Sequence, residues 1–276
     1  MATRIGLVPE HFSAPLVYGV ENGFTNTLCI VGTGDMIKKL VAGELDIAIC
    51  VTEGLVAGIG KNPDLRLFGT YVDSPLPWAA SVATDAEYAT LDDLAFGATF
   101  GISRPGSGSE VMARYAASAY EWTGKPKFNV LGDVHGLVKG IQEGAADAFL
   151  WERTTMQRHY DANEVRYLGT VRPPWPAFSF GATAQFIEAN GDKITGLLGM
   201  FGNAQRQFME DGVARAEFLK HKFGYGREEA ERWAEYVRFN EQGSVDQDKI
   251  RKVIATLSKA GAMQELGADE VVLLPK

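Results

Sequence analysis

The sequence predicts a two-lobed α/β protein, and three observations carry that expectation. Short apolar runs alternate with helix-period segments through most of the chain, the pattern of mostly parallel sheets. The segment MIKKLVAGELDIAIC (residues 36–50) returns as LVKGIQEGAADAFLW (residues 137–151), with Gly43 matching Gly144 and Asp46 matching Asp147, both at an offset of 101 residues. From Phe186 onward the periodicity is almost wholly helical, so these helices need a sheet built elsewhere to pack on, most simply that of the first lobe.

The elements follow in order. TRIGLVP (3–9) and NTLCIVG (26–32) read as short buried strands around a helix that Pro15 suits in its first turn and Gly23 stops. Asp35 is the expected N-cap of a helix over 36–42, Gly43 its stop, and residues 46–51 the next strand, followed by a short helix from about Glu53 to Gly60. Residues 64–72 and 77–84 follow without a helix between them and read as paired strands leading out of the first lobe. A strand near 96–102, the glycine-rich PGSGSE turn and a helix over 109–122 open the second lobe. KFNVLG, a helix over 134–143 with Asp133 as its N-cap, a strand over 147–151, a helix near 154–160 and a strand over 165–171 complete it. The proline-rich RPPWP (172–176) is a stiff connector, and AFSFGATAQF carries the chain back to the first lobe. The expected lobes are residues 1–88 with 182–276, and residues 89–181, joined by crossings near 84–92 and 176–184.

Composition narrows the function. The 276 residues are 46% hydrophobic and 22% charged, as in soluble globular domains, and the formal net charge of −8 argues against nucleic-acid or anionic-membrane surfaces. No run reaches the roughly 18 apolar residues of a membrane span. Two cysteines, Cys29 and Cys50, sit in apolar runs without disulfide or zinc spacing. MATRIGLVP enters a strand pattern at once with no leader-like segment, which suits a cytoplasmic protein, or a periplasmic or extracellular one whose leader has been removed.

Two lobes place a cleft between them, and open α/β sheets bind ligands at the carboxyl ends of their strands. The residues just after each strand are therefore the candidates. In SRPGSGSE (103–110), Ser107, Gly108 and Ser109 present helix N-terminal amides to an anion, and Arg104 adds charge. The structural alternative is an S-x-x-E capping box between Ser107 and Glu110. His11 and Phe12 follow the first strand as a hydrogen-bonding group and an aromatic wall, or as a surface histidine beside a packing ring. Thr52 and Glu53 follow the third strand, where Glu53 either meets ligand or opens a helix. Trp151 offers a flat ring to the cleft, and Glu152 lies beside it with Arg153, which it either pairs with or leaves to solvent. Trp78 and Trp175 lie near the crossings as hinge packing or cleft lining; Trp122 and Trp233 read as packing residues, and His135 as a secondary ligand candidate. No catalytic triad, metal motif or cofactor loop assembles among these residues.

IGLVPEHFSAPLVYGVENGF, GDMIKKLVAGELDIAI, FGISRPGSGSEVMARYAA and GLVKGIQEGAADAFLWE together resemble the type II periplasmic-binding-protein fold. The likeness is to the branch of solute-binding proteins for alkanesulfonates, nitrate, taurine and thiamine-pyrimidine precursors, and covers most of residues 4–160. It implies a Venus-flytrap protein closing over a small molecule, with an ABC-transporter partner for exported members; the chain looks closest to leaderless stand-alone, fungal-type members. The thiamine-pyrimidine synthases of the same superfamily place a lysine and a histidine after the third strand and add a cysteine-rich segment. At those positions this sequence has Cys50 and Gly54, and no cysteine cluster. Binding of a small anionic or heterocyclic metabolite is therefore the expectation, without a cofactor. The alternative is an enzyme of cofactor metabolism on the same scaffold, built on His11, Glu53 and Glu152.

Overall fold

The structure, a computed structural model, describes residues 2–21 and 26–276. The expected helix stop at Gly23 lies outside them. By contacts the chain divides into a first unit, Met1–Ser74, Trp175–Ala255 and Met263–Lys276, and a second, Pro75–Pro174 and Thr256–Ala262.

In the first unit β1 (Arg4–Leu7) leads through a 3-10 turn (His11–Ser13) into α1 (Ala14–Glu21), then β2 (Thr27–Ile30), α2 (Thr33–Val41), β3 (Ile47–Val51), α3 (Thr52–Ile59) and β4 (Leu65–Val72). The second unit holds β5 (Trp78–Val82), a 3-10 turn (Leu91–Phe96), β6 (Thr99–Ile102), α4 (Gly108–Ala119), β7 (Lys127–Val130), α5 (Val134–Gln142), β8 (Ala148–Glu152), α6 (Arg153–Asp161) and β9 (Arg166–Val171). The chain re-enters the first unit with β10 (Phe178–Thr183) and α7 (Ala184–Ala189), α8 (Gly191–Glu210), α9 (Gly212–Phe223), α10 (Arg227–Tyr236), α11 (Gln247–Lys259) and α12 (Ala268–Val271).

Each unit is built on a five-stranded sheet, in the order β2-β1-β3-β10-β4 and β7-β6-β8-β5-β9. The two orders are the same pattern: three parallel strands, then a strand inserted antiparallel from a distant part of the chain, then a last strand.

The repeated segment is the joint that makes this pattern twice. Gly43 (φ 70°) and Gly144 (φ 71°) end α2 and α5 in the left-handed conformation that a glycine adopts without steric cost. Three residues later, Asp46 Oδ2 accepts the backbone N–H of Arg4 at 2.8 Å, and Asp147 Oδ2 accepts that of Thr99 at 2.7 Å. The aspartate amides return bonds to the carbonyls of the same two residues at 2.9 and 2.8 Å. Each aspartate thus clamps the first residue of the neighbouring parallel strand and sets its register.

Several expectations need correction. β4 and β5 are not partners: β4 pairs with β10, and β5 lies between β8 and β9. Every residue of β5 is buried, as suits a strand inside a sheet rather than the free arm of a hairpin. The chain accordingly changes unit at Ser74/Pro75 and returns at Pro174/Trp175, so residues 75–88 group with the second unit and residues 175–181 with the first. The last turn of α11 also groups with the second unit rather than with the first-unit helices. α2 begins at Thr33 with Gly32 as N-cap, leaving Asp35 in the first turn, paired with Lys38 at 3.0 Å. The expected strand near 96–102 is shorter, because residues 91–96 form a 3-10 turn that Asp93 holds by accepting the N–H groups of Ala89 and Thr90.

Candidate functional site

In the first unit β1 and β3 are adjacent and parallel, so the loops that follow them leave at the same edge of the sheet. His11 and Phe12 are not surface residues: they are 1% exposed. His11 Nδ1 lies 2.9 Å from the Tyr225 hydroxyl, and its ring stands edge-on to Trp233. Phe12 packs against Phe178 of β10 with ring centroids 4.7 Å apart. The exposed histidine considered from sequence is thus replaced by an aromatic cluster into which α10 delivers Trp233.

Thr52 and Glu53 open α3, whose N-cap is Val51 and carries no side-chain cap. Their surroundings come from β10 and the proline-rich connector, because β10 runs antiparallel beside β3 and brings Ser179 opposite Cys50. The Thr52 and Ser179 hydroxyls share a hydrogen bond of 2.8 Å. Trp175 Nε1 donates to Glu53 Oε2 at 3.1 Å. Glu53 is 1% exposed, and its Oε1 has no partner among the described residues. Burial raises this carboxyl to about 7, against the opposing pull of its own backbone N–H and the Trp175 indole. Cys50 is wholly buried in β3, and desolvation lifts its thiol far above the ordinary range, so it has no nucleophilic character. A histidine does not fit at Gly54 as the helices stand, since a Cβ there lies 2.8 Å from Thr33 Cγ2 and 3.1 Å from Val51 Cγ2.

In the second unit β6 and β8 are the adjacent parallel pair. After β6, Ser107 and Ser109 are buried, at 2% and 3% exposure, and Arg104 is exposed. The expected capping box does not form. Ser107 is the N-cap of α4 but its hydroxyl turns to the Ser109 hydroxyl, at 2.9 Å, and gives no cap bond. Glu110 reaches further back to the Gly106 N–H at 2.7 Å while its other oxygen holds Arg114. The Gly108 end of α4 therefore has no side-chain cap of its own, which leaves it suited to an incoming acceptor group.

After β8 the outcome is different. Trp151 belongs to the strand rather than following it, and packs half-buried against the core formed by Leu137, Phe149 and Met156. Glu152 is 2% exposed and caps α6, accepting from the N–H groups of Thr154 and Thr155 at 2.9 and 2.7 Å and from the Thr155 hydroxyl at 3.0 Å. Arg153 beside it bonds Gln157 and lies over the rings of Tyr160 and Tyr167. Trp78 opens β5 opposite Glu152, buried, with an indole N–H that has no partner among the described residues. Asp133 caps α5 as expected, accepting from the Gly136 N–H at 3.0 Å. His135 is exposed and lines a cavity of about 460 Å³ with Arg158, His159 and Glu164. Trp233 is buried and Trp122 half-buried, both as packing residues, the latter stacked on Phe100.

Sequence reasoning missed Ser179 and Tyr225, and gave Trp175 no partner. These residues reach Thr52, His11 and Glu53 across 127, 214 and 122 positions, and no local spacing encodes such contacts.

Comparison with known proteins agrees with this architecture. The family model described as Ca3427-like PBP matches residues 78–171. No curated protein matches the sequence. Among solved structures, the Candida albicans CA3427 gene product, which exhibits the generic periplasmic binding protein fold, superposes with a TM-score of 0.89 at 26% identity, covering 100% of this chain and 97% of that one. The alkanesulfonate-binding protein SsuA from Xanthomonas axonopodis pv. citri, bound to MOPS, gives 0.81 at 15% identity, covering 99% and 98%. The periplasmic nitrate-binding protein NrtA from Synechocystis PCC 6803 gives 0.73 at 14% identity, covering 98% and 86%. The chain thus has the type II periplasmic-binding-protein-like fold, with two mixed α/β units of one topology.

Proposed function

We propose that the chain is a small-molecule binding protein whose two units close over an anionic or heterocyclic metabolite. One observation carries the reading: each unit delivers buried polar side chains to the carboxyl edge of its parallel strands, Thr52 and Glu53 in the first, Ser107 and Ser109 in the second. The hydroxyls satisfy one another in pairs, Thr52 with Ser179 and Ser107 with Ser109, but Glu53 Oε1 has no partner among the described residues, and such a buried group is costly unless something uses it. The α4 end without a side-chain cap supports an acceptor group on the ligand, and the buried Trp78 indole N–H offers a second donor. The sulfonate- and nitrate-binding neighbours support including those anions among the candidates. Among the described residues no helix is long and apolar enough to cross a membrane.

The test is a melting panel of sulfonates, nitrate, carboxylates and nitrogen heterocycles. A true ligand at about 100 times its Kd stabilises the fold by roughly 2.7 kcal/mol, and closure contracts the molecule in small-angle scattering. No shift from any member counts against small-molecule binding, and an unchanged scattering profile at saturation counts against closure. The enzymatic alternative is supported by one feature, a buried carboxyl near 7 at Glu53, the range of a general acid or base. Of the residues on which that alternative was built, Glu152 caps α6, while His11 stays buried beside Tyr225 and Glu53 beside Trp175. Mass spectrometry of turnover products from a co-purified molecule distinguishes the two.

A further inference from the structure

We propose that Glu53 reads a hydrogen-bond donor on the ligand: the bound molecule presents an N–H group to Glu53 Oε1, which places it among amines and amino-substituted heterocycles rather than among simple oxyanions. This deepens the binding reading above and rests on it.

The hydroxyls of Thr52 and Ser179 are 2.8 Å apart and use each other. Trp175 Nε1 can only donate, and it fixes Oε2 at 3.1 Å. Oε1 is left as an acceptor with no partner among the described residues, on a side chain that is 1% exposed. A buried carboxylate oxygen in this state destabilises the fold unless a donor reaches it.

The second unit supplies the control. Glu152 stands at the start of the corresponding helix, equally buried, and both its oxygens are taken by the N–H groups and hydroxyl of α6. A carboxyl placed there for the helix alone is saturated by the helix. Glu53 lies one residue inside α3, satisfies one side through a residue 122 positions away, and keeps the other open. Desolvation has raised it to about 7, so at pH 8 the carboxyl is mostly ionised and Oε1 stands as an acceptor. Nitrate, sulfate and sulfonate headgroups carry acceptors only, and against an ionised Glu53 they meet like charge.

The substitution Glu53→Gln separates donor from acceptor. Trp175 donates, so it holds the amide oxygen and turns the amide N–H2 to where Oε1 stood, reversing the polarity offered to the ligand. Calorimetric titrations on the full chain at pH 8 would use cytosine, 2-aminopyridine and ethylamine as donor probes, and nitrate, sulfate and ethanesulfonate as oxyanion probes. The heterocycles and the amine distinguish the two sources of N–H. The expected result is that a donor probe binds the wild-type protein and loses at least tenfold in affinity in E53Q. Trp175→Phe, which releases Oε2, serves as a second variant should E53Q fail to fold; it is expected to cut the preference for donor over oxyanion probes several-fold, a ratio that a packing defect alone would leave unchanged. Oxyanions binding while donors do not would overturn the inference and leave the binding reading intact. A donor probe whose affinity is the same in E53Q would overturn it as well. Binding by no probe would remove both.

Discussion

The joints at Gly43–Asp46 and Gly144–Asp147 are built alike, whereas the strand exits that follow them, after β3 and after β8, are built for different purposes. In the second unit the exit is closed, because Glu152 spends both oxygens on the first amides and hydroxyl of α6. In the first, Val51 stands at the matching N-cap without a capping side chain, and the buried carboxyl has moved two positions on, to Glu53, where Trp175 holds Oε2 and Oε1 has no partner among the described residues. The shared joint therefore belongs to the scaffold, and the divergence between copies is where chemistry is to be sought.

This contrast can be broken or sharpened by substitution. The largest effect is expected at Glu53 and depends on pH. Its folded-state value is raised from 4.5 to about 7, so the folded chain holds this proton more tightly than the unfolded chain does. The resulting stability is fully present below the unfolded value and is lost as pH rises through the folded value. Urea titrations should show wild type losing on the order of 3 kcal/mol relative to E53Q between pH 4.5 and pH 8; parallel curves would mean that the carboxyl is not desolvated. Next is Glu152→Ala, which strips α6 of its side-chain cap and should cost about 2 kcal/mol in urea titrations. If Glu152 instead behaved like Glu53, with little cost in the absence of ligand, the distinction between closed and open exits would fail.

Gly43→Ala and Gly144→Ala should each cost about 1–2 kcal/mol from left-handed backbone strain, since neither added Cβ meets an atom within 4 Å. Unequal costs would show that the two joints are not equivalent. The smallest effect is expected for Asp133→Ala, about 1 kcal/mol, because α5 has a side-chain cap where α2 starts from Gly32 without one.

The joints were legible in the sequence because glycine and aspartate act there through local geometry, over a fixed short spacing. The helix stop at Gly60, the Asp133 cap and the return of the chain through β10 were legible for the same reason. The pairing of β4 and β5 was not. Both are apolar on two faces, so neither shows the alternation that identifies a neighbour, and their true partners lie far along the chain. At Ser107 the motif was present but the bond was not, since Glu110 has reach enough to choose Gly106. At the candidate site the residue positions after β1, β3 and β6 could be named in advance, but their environment could not. The burial of His11 follows from Trp233 and Tyr225 in the C-terminal third, and the state of Glu53 from Trp175 in the proline-rich connector.

The proposal that one molecule meets the strand ends after β3 and after β6 can be put to amide hydrogen exchange on the full chain. With the tightest-binding probe at saturation, exchange should slow together at residues 52–54 and 107–110. Protection confined to one of the two segments, or absent from both, would contradict it.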